Sequence, residues 1–177
     1  MFPGEEVYWL ALSKAPGIGL KRFYKLIKTF GDPRQVWQAG LSELSPVIGR
    51  KVAVDFIQFR RKFSMEKEWE QLEKGGYKIV LVNDRSYPGL LKKIHDPPPV
   101  LFYKGEFRPE DQFAVAVVGS RAATPSGLSI ARELAAGLAV QGITVVSGLA
   151  RGIDSAAHRG ALSVKGGRTI AVLGSGI

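Results

Sequence analysis

Three short runs in the second half of the chain have residue types suited to holding a phosphate. They are Gly119-Ser120-Arg121, Ser147-Gly148 and Gly174-Ser175-Gly176. Glycine lets backbone N–H groups approach an anion, serine hydroxyls donate hydrogen bonds, and an arginine guanidinium matches phosphate with a planar fork. Other chemistries are excluded by composition. The 177 residues contain no cysteine, which removes disulfides, thiolate metal sites and a cysteine nucleophile. His95 and His158 alone do not make a His-rich zinc site. No Gly-x-Ser-x-Gly elbow is present. Gly119 through Gly127 does not read Gly-x-Gly-x-x-Gly, and Ser147 stands where a NAD-binding fold places an acidic residue. Asp154 is read as a helix cap, with His158 one turn on as its hydrogen-bond partner. No catalytic constellation emerges, so no enzyme activity, metal or cofactor is expected.

The phosphate-suited runs need elements that bring them together. Phe113 to Val118 is an almost wholly apolar run, the mark of a strand buried on both faces. Thr124-Pro125 caps a helix to about Gln141, and Ile143 to Val146 is the next strand. A second helix follows from Asp154 to about Val164, then a third strand from Thr169 to Leu173. Strand and helix alternate with short loops, which predicts a doubly wound α/β unit with a parallel sheet. In such a sheet all three glycine-bearing strand ends emerge at one edge, beside the following helix N-termini.

The first half has a different period. Apolar residues recur at spacings of three and four from Tyr8 to Glu73, broken at Pro16-Gly17-Ile18-Gly19 and again at Ser45-Pro46-Val47-Ile48-Gly49. A 30-residue offset places Ile18-Gly19 on Ile48-Gly49, Lys21 on Lys51 and Ile27 on Ile57. This pseudo-repeat resembles the helix-hairpin-helix motif, in which hairpin glycines admit a phosphate. Val47 occupies a position where the second copy would want glycine. The expected division is a helical domain over residues 1–73 and an α/β domain over residues 74–177.

Charge points the same way. Lys and Arg number 25 against 16 Asp and Glu, a net charge of +9 that suggests an anionic partner. Between Lys14 and Lys62 the balance is +8, while Glu66, Glu68, Glu70 and Glu73 follow with only Lys67 among them. No apolar run approaches the roughly 20 residues of a membrane span. Met1 to Trp9 carries Glu5 and Glu6 and no basic n-region, so no signal peptide is expected.

Taken together, Gly119-Ser120-Arg121, Thr124, Gly127, the run Ser147-Gly148-Leu149-Ala150-Arg151-Gly152-Ile153-Asp154, Ala157-His158, Ala161-Leu162, Gly167 and Thr169 to Gly174 resemble the core of the DNA-processing protein A (Smf) family. Tyr87-Pro88, Leu91, Asp96-Pro97-Pro98, Leu101-Phe102 and Gly105 resemble the segment leading into that core. The helical half is similar to the family's sterile-alpha-motif-like module.

The resemblance implies a Rossmann-like domain that continues past Ile177, so that the chain carries only its first portion. It implies a non-enzymatic, cytoplasmic mediator that binds incoming single-stranded DNA, protects it and helps load a RecA-type recombinase during natural transformation. The complete protein would be a homodimer. The residues implied for DNA contact are Gly119, Ser120, Arg121, Ser147, Gly148, Arg151, Lys165, Arg168 and Gly174, with Lys165 and Arg168 on or near the same edge. The alternative is a Rossmann-like nucleotide-binding or nucleotide-processing enzyme, and a third reading is a protein-binding adaptor acting through the helical half. An enzyme of that kind needs a glutamate beside a glycine-rich strand end, and none is present.

Overall fold

The computed structural model describes residues 4–174. Ser175 and Gly176, read above as part of the third strand end, lie outside the described residues. The chain forms two compact units, residues 1–106 and 107–177.

Six helices open the first unit: α1 (Glu6–Ser13), α2 (Leu20–Phe30), α3 (Pro33–Gln38), α4 (Leu41–Ile48), α5 (Arg50–Lys62) and α6 (Met65–Lys74). Asp32 caps α3 as its spacing predicts, its carboxylate accepting the Gln35 N–H at 2.9 Å ahead of Pro33. Glycine N-caps α2 at Gly19 and α5 at Gly49, which gives the 30-residue offset a structural meaning. The two copies turn differently: Gly17 carries the positive φ of the first (+74°), Gly49 that of the second (+85°). Pro46 breaks nothing, because α4 runs through it and stops only at Gly49. Trp9 lies against Phe23 at 5.5 Å between ring centroids, and Trp37 meets Phe56 edge-on at 5.5 Å. Burying a ring such as Phe23 or Phe56, each nearly inaccessible, contributes roughly 2–3 kcal/mol.

The expected boundary after residue 73 moves. Strand β1 (Lys78–Leu81) pairs antiparallel with β2 (Val100–Tyr103), and Leu81 and Val100 join the same apolar core as Phe23 and Phe56. The connection includes the short helix α7 (Gly89–Lys92) and the three prolines 97–99. Tyr24 donates to the Pro97 carbonyl at 2.6 Å and Tyr87 to that of Pro98 at 2.9 Å. The Tyr24 bond ties the connection to α2 and the Tyr87 bond braces the connection internally, and residues 78–103 belong to the helical unit.

The second unit holds β3 (Ala114–Ala116), α8 (Pro125–Val140), β4 (Thr144–Ser147), α9 (Ile153–Leu162) and β5 (Thr169–Ala171). Its sheet is parallel in the order β3-β4-β5, with Val115 beside Val145 and Val146 beside Ile170. Thr124 caps α8 through the Gly127 N–H, as expected. Ala135 and Ala139 of α8 and Ala157 and Ala161 of α9 share one cluster with Val117 and Val145, so both crossover helices cover the same face. Their approach is close: a Cβ at Gly160 would overlap the Arg132 carbonyl oxygen.

Burial on both faces is therefore not what the described residues show, and neither is double winding. Phe113 is 66% exposed and Val118 68%, and the strand is confined to Ala114–Ala116. Steady progression β3 to β5 through two like-handed crossovers keeps both helices on one side.

Candidate nucleic-acid interface at the strand ends

The C-terminal ends of β3, β4 and β5 come together, as parallel pairing requires, and three loops leave them. Residues 117–124 link β3 to α8, residues 148–152 link β4 to α9, and residues 172–174 follow β5. The loops are tied to one another. Ser120 accepts the Ile153 N–H at 3.2 Å through its carbonyl, and the Ala122 N–H at 3.1 Å through its hydroxyl. Val172 N–H donates to the Ser147 carbonyl at 2.8 Å. A Cβ at Gly119 would come within 2.8 Å of Ile153, so glycine there serves close strand–helix packing.

Arg121 stands exposed on the first loop and has no ion-pair or hydrogen-bond partner among the described residues. The backbone N–H groups of Gly119, Ser120 and Arg121 likewise donate to nothing among the described residues. Arg151 is exposed on the second loop, also without a side-chain partner. Gly174 is exposed at the end of the third. Cations and unspent N–H donors at one edge make a place for an anion.

Four of the expected contacts, Ser147, Gly148, Lys165 and Arg168, stand elsewhere or are spent. Ser147 is 2% exposed, and its hydroxyl donates to the Val117 carbonyl at 2.7 Å, so it bridges β4 to β3 instead of facing a ligand. Arg168 precedes β5 and therefore lies at the opposite edge of the sheet. There it grips Asp111 with two nitrogens, Nη2 at 2.6 Å from Oδ2 and Nε on Oδ1. Thr144 adds a bond to Asp111 Oδ1 at 3.0 Å. Burial acts to raise the Asp111 pKa, but the Arg168, Arg108 N–H and Thr144 hydrogen bonds outweigh it and hold the carboxyl below its usual range. Lys165, exposed in the same strand-approaching segment, belongs with Arg168 away from the strand ends. A depression of about 560 Å³ lined by Phe113, Val115, Gln141 and Ile143 also sits at that far edge.

Asp154 does not cap its helix. Gly152 is the N-cap, with φ +82°, and Asp154 is the second helical residue. Its buried carboxylate accepts the N–H groups of Gly148 at 3.2 Å and Ala150 at 3.3 Å, pinning the second loop to α9. Gly148 consequently gives its N–H to Asp154 and not outward. Leu149, between the two bonded residues, has φ +58° and is 57% exposed. A left-handed leucine is a strained backbone position held by its surroundings. Sequence reasoning passed over it, since only glycine and asparagine signal such a turn.

His158 bonds Thr169 instead of Asp154, at 2.8 Å from Nδ1 to Oγ1. Thr169 gives its single hydroxyl proton to the Val145 carbonyl at 2.7 Å, so Nδ1 must be the donor in the histidine contact. Nε2 is buried with no hydrogen-bond partner among the described residues. Burial lowers the His158 pKa below 6.5, and the nearby Asp154 charge opposes this only in part. The folded state thus favours neutral His158. Its contribution to stability is complete above pH 6.5 and is lost as pH falls through the lower folded value. Thermal melting between pH 7.5 and 5.5 checks this: the parent chain loses stability on acidification, and His158→Gln loses less. An equal loss in both contradicts the assignment.

A parallel sheet with glycine-bearing strand ends, an arginine unpaired among the described residues and unspent N–H donors defines a Rossmann-like α/β unit whose strand-end edge is chemically suited to an anion. The chain belongs to the DNA recombination-mediator protein A family, whose sequence pattern residues 78–177 match. It is 35% identical over 183 residues to Protein Smf of Synechocystis, covering 100% of this chain and 46% of that protein. To Protein Smf of Escherichia coli it is 37% identical, covering 80% of this chain and 39% of the relative. The X-ray structure of DNA processing protein A (DprA) from Streptococcus pneumoniae superposes with a TM-score of 0.75 at 31% identity, over 99% of this chain and 59% of that one. The chain thus spans less than half the length of these two curated relatives.

Proposed function

We propose that the strand-end edge of the second unit binds single-stranded DNA through its phosphates. On this reading the chain is the N-terminal part of a non-catalytic, cytoplasmic mediator that protects incoming DNA and helps load a RecA-type recombinase in natural transformation, working as a homodimer. The observation that carries the reading is Arg121, exposed and unpaired beside the unspent N–H groups of residues 119–121. Arg151 and Gly174 extend the same edge. Family membership supports nucleic acid as the anion. Nucleotide processing finds less support, because Asp154, the carboxylate of this edge, is buried and engaged by two backbone N–H groups.

Fluorescence anisotropy over a salt series provides the test. Single-stranded oligonucleotides are expected to bind at least tenfold more tightly than duplex of equal length. The logarithm of their affinity should fall linearly with log salt, by about 0.7 per phosphate contacted. Equal affinities, or no salt dependence, would sink the proposal.

A further inference from the structure

We infer that the helical unit carries a second DNA contact, a cationic surface on α2 and the first turn of α5 that fits the phosphate backbone of duplex DNA. This surface belongs to the first unit and the strand-end edge to the second, and the inference holds whether or not that edge binds single strands.

Lys21, Lys25 and Lys28 fall at i, i+4 and i+7 of α2, so they share one helix face spanning about 10 Å. All three are exposed, and α2 contains no acidic residue. Arg50 and Lys51, also exposed, open α5. The two groups are neighbours, because the turn at Gly17 lies against Val52 of α5, where a Cβ would stand 3.3 Å from Val52 Cγ1. None of the five cations has an ion-pair or side-chain hydrogen-bond partner among the described residues. Asp55 lies one turn beyond Lys51 and forms no pair with it. Four of the unit's acids, Glu66, Glu68, Glu70 and Glu73, lie on α6, where Glu68 pairs with Lys14 and Glu70 with Lys74. Like charges clustered on rigid helices repel one another, and the first turn of a helix disfavours cations. An anionic polymer relieves both costs.

The form of nucleic acid follows from what accompanies the charge. Single-strand sites combine cations with aromatic platforms on which bases stack. The large apolar side chains exposed in the described part of this unit are Leu20, Leu41, Leu90 and Ile94, none of them aromatic. A stack-free array of fixed cations contacts backbone alone, which suits the regular phosphates of a duplex.

The test uses the complete 177-residue chain and the variant Lys21→Glu/Lys51→Glu, with blunt duplex and single-stranded oligonucleotides in parallel. Duplex affinity is expected to drop at least tenfold, and the log–log salt slope to shrink by about two. Single-strand affinity should stay within twofold, and Lys21→Arg/Lys51→Arg should bind duplex like the parent. Glutamate in a first helical turn favours the helix, so the melting temperature should hold or rise while binding falls. If that pair lost its thermal transition, Lys25→Glu/Lys28→Glu carries the same expectation. Duplex affinity within twofold of the parent, equal loss on both oligonucleotides, or no duplex binding by the parent chain would each overturn the inference. Failure of the strand-end reading would show instead in the single-strand arm alone.

Discussion

Gly152→Ala is expected to destabilise the second unit by about 3 kcal/mol or more. Two independent costs meet at this residue. Its backbone has φ +82° and ψ −129°, a region open to glycine and strained for any L side chain. Its would-be Cβ overlaps the Ser120 carbonyl oxygen and lies 3.0 Å from the C and Cα of Arg121. Those are backbone atoms, so no side chain can swing aside. The Ser120 carbonyl also accepts the Ile153 N–H, so displacing it costs a hydrogen bond between the two loops. Against a domain stability of typically 5–15 kcal/mol, such a loss lowers the melting temperature of this unit markedly. Calorimetry on the parent and variant reads it directly. A melting temperature within a degree or two of the parent would show that the loops are not locked as described.

The second large effect concerns binding. Arg121→Glu is expected to weaken single-strand binding by about 2 kcal/mol, roughly 30-fold, since it removes a charge-assisted contact and adds repulsion. The same substitution leaves folding nearly untouched, because Arg121 is exposed and unpaired among the described residues. On the proposed reading, stability and affinity are thereby separated at two adjoining loops, with Gly152 setting their geometry and Arg121 meeting the DNA.

Much of the fold was legible because its signals are local. Asp32-Pro33 and Thr124-Pro125 are caps whose partners lie three residues away, and the structure has both. The glycine-ended strands followed from the alternation of apolar runs and helical segments. What escaped depends on distance or on ambiguity. Arg168 and Asp111 are 57 positions apart, and nothing near Arg168 reveals that it is already paired. Ser147 looks the same in sequence whether its hydroxyl faces a ligand or bridges to Val117. Asp154 occupies a place where a cap and a loop staple share one residue type, and only Gly152's backbone decides between them. The pairing of β1 with β2 draws residues 78–103 into the helical unit across a proline-rich connection, which local periodicity does not report. At the site, Gly119, Ser120, Arg121, Gly148, Arg151 and Gly174 come to one edge, while Lys165 and Arg168 do not.

On the proposed reading, single-stranded DNA meets the strand-end edge through Arg121. Anisotropy of one labelled single strand, measured with the parent chain, Arg121→Glu and Lys21→Glu at the same salt, tests it most directly. A loss of roughly 30-fold is expected for Arg121→Glu, from the charge-assisted contact it removes, with near-parent affinity for Lys21→Glu. The reverse order would place the single strand on the helical hairpins and contradict it.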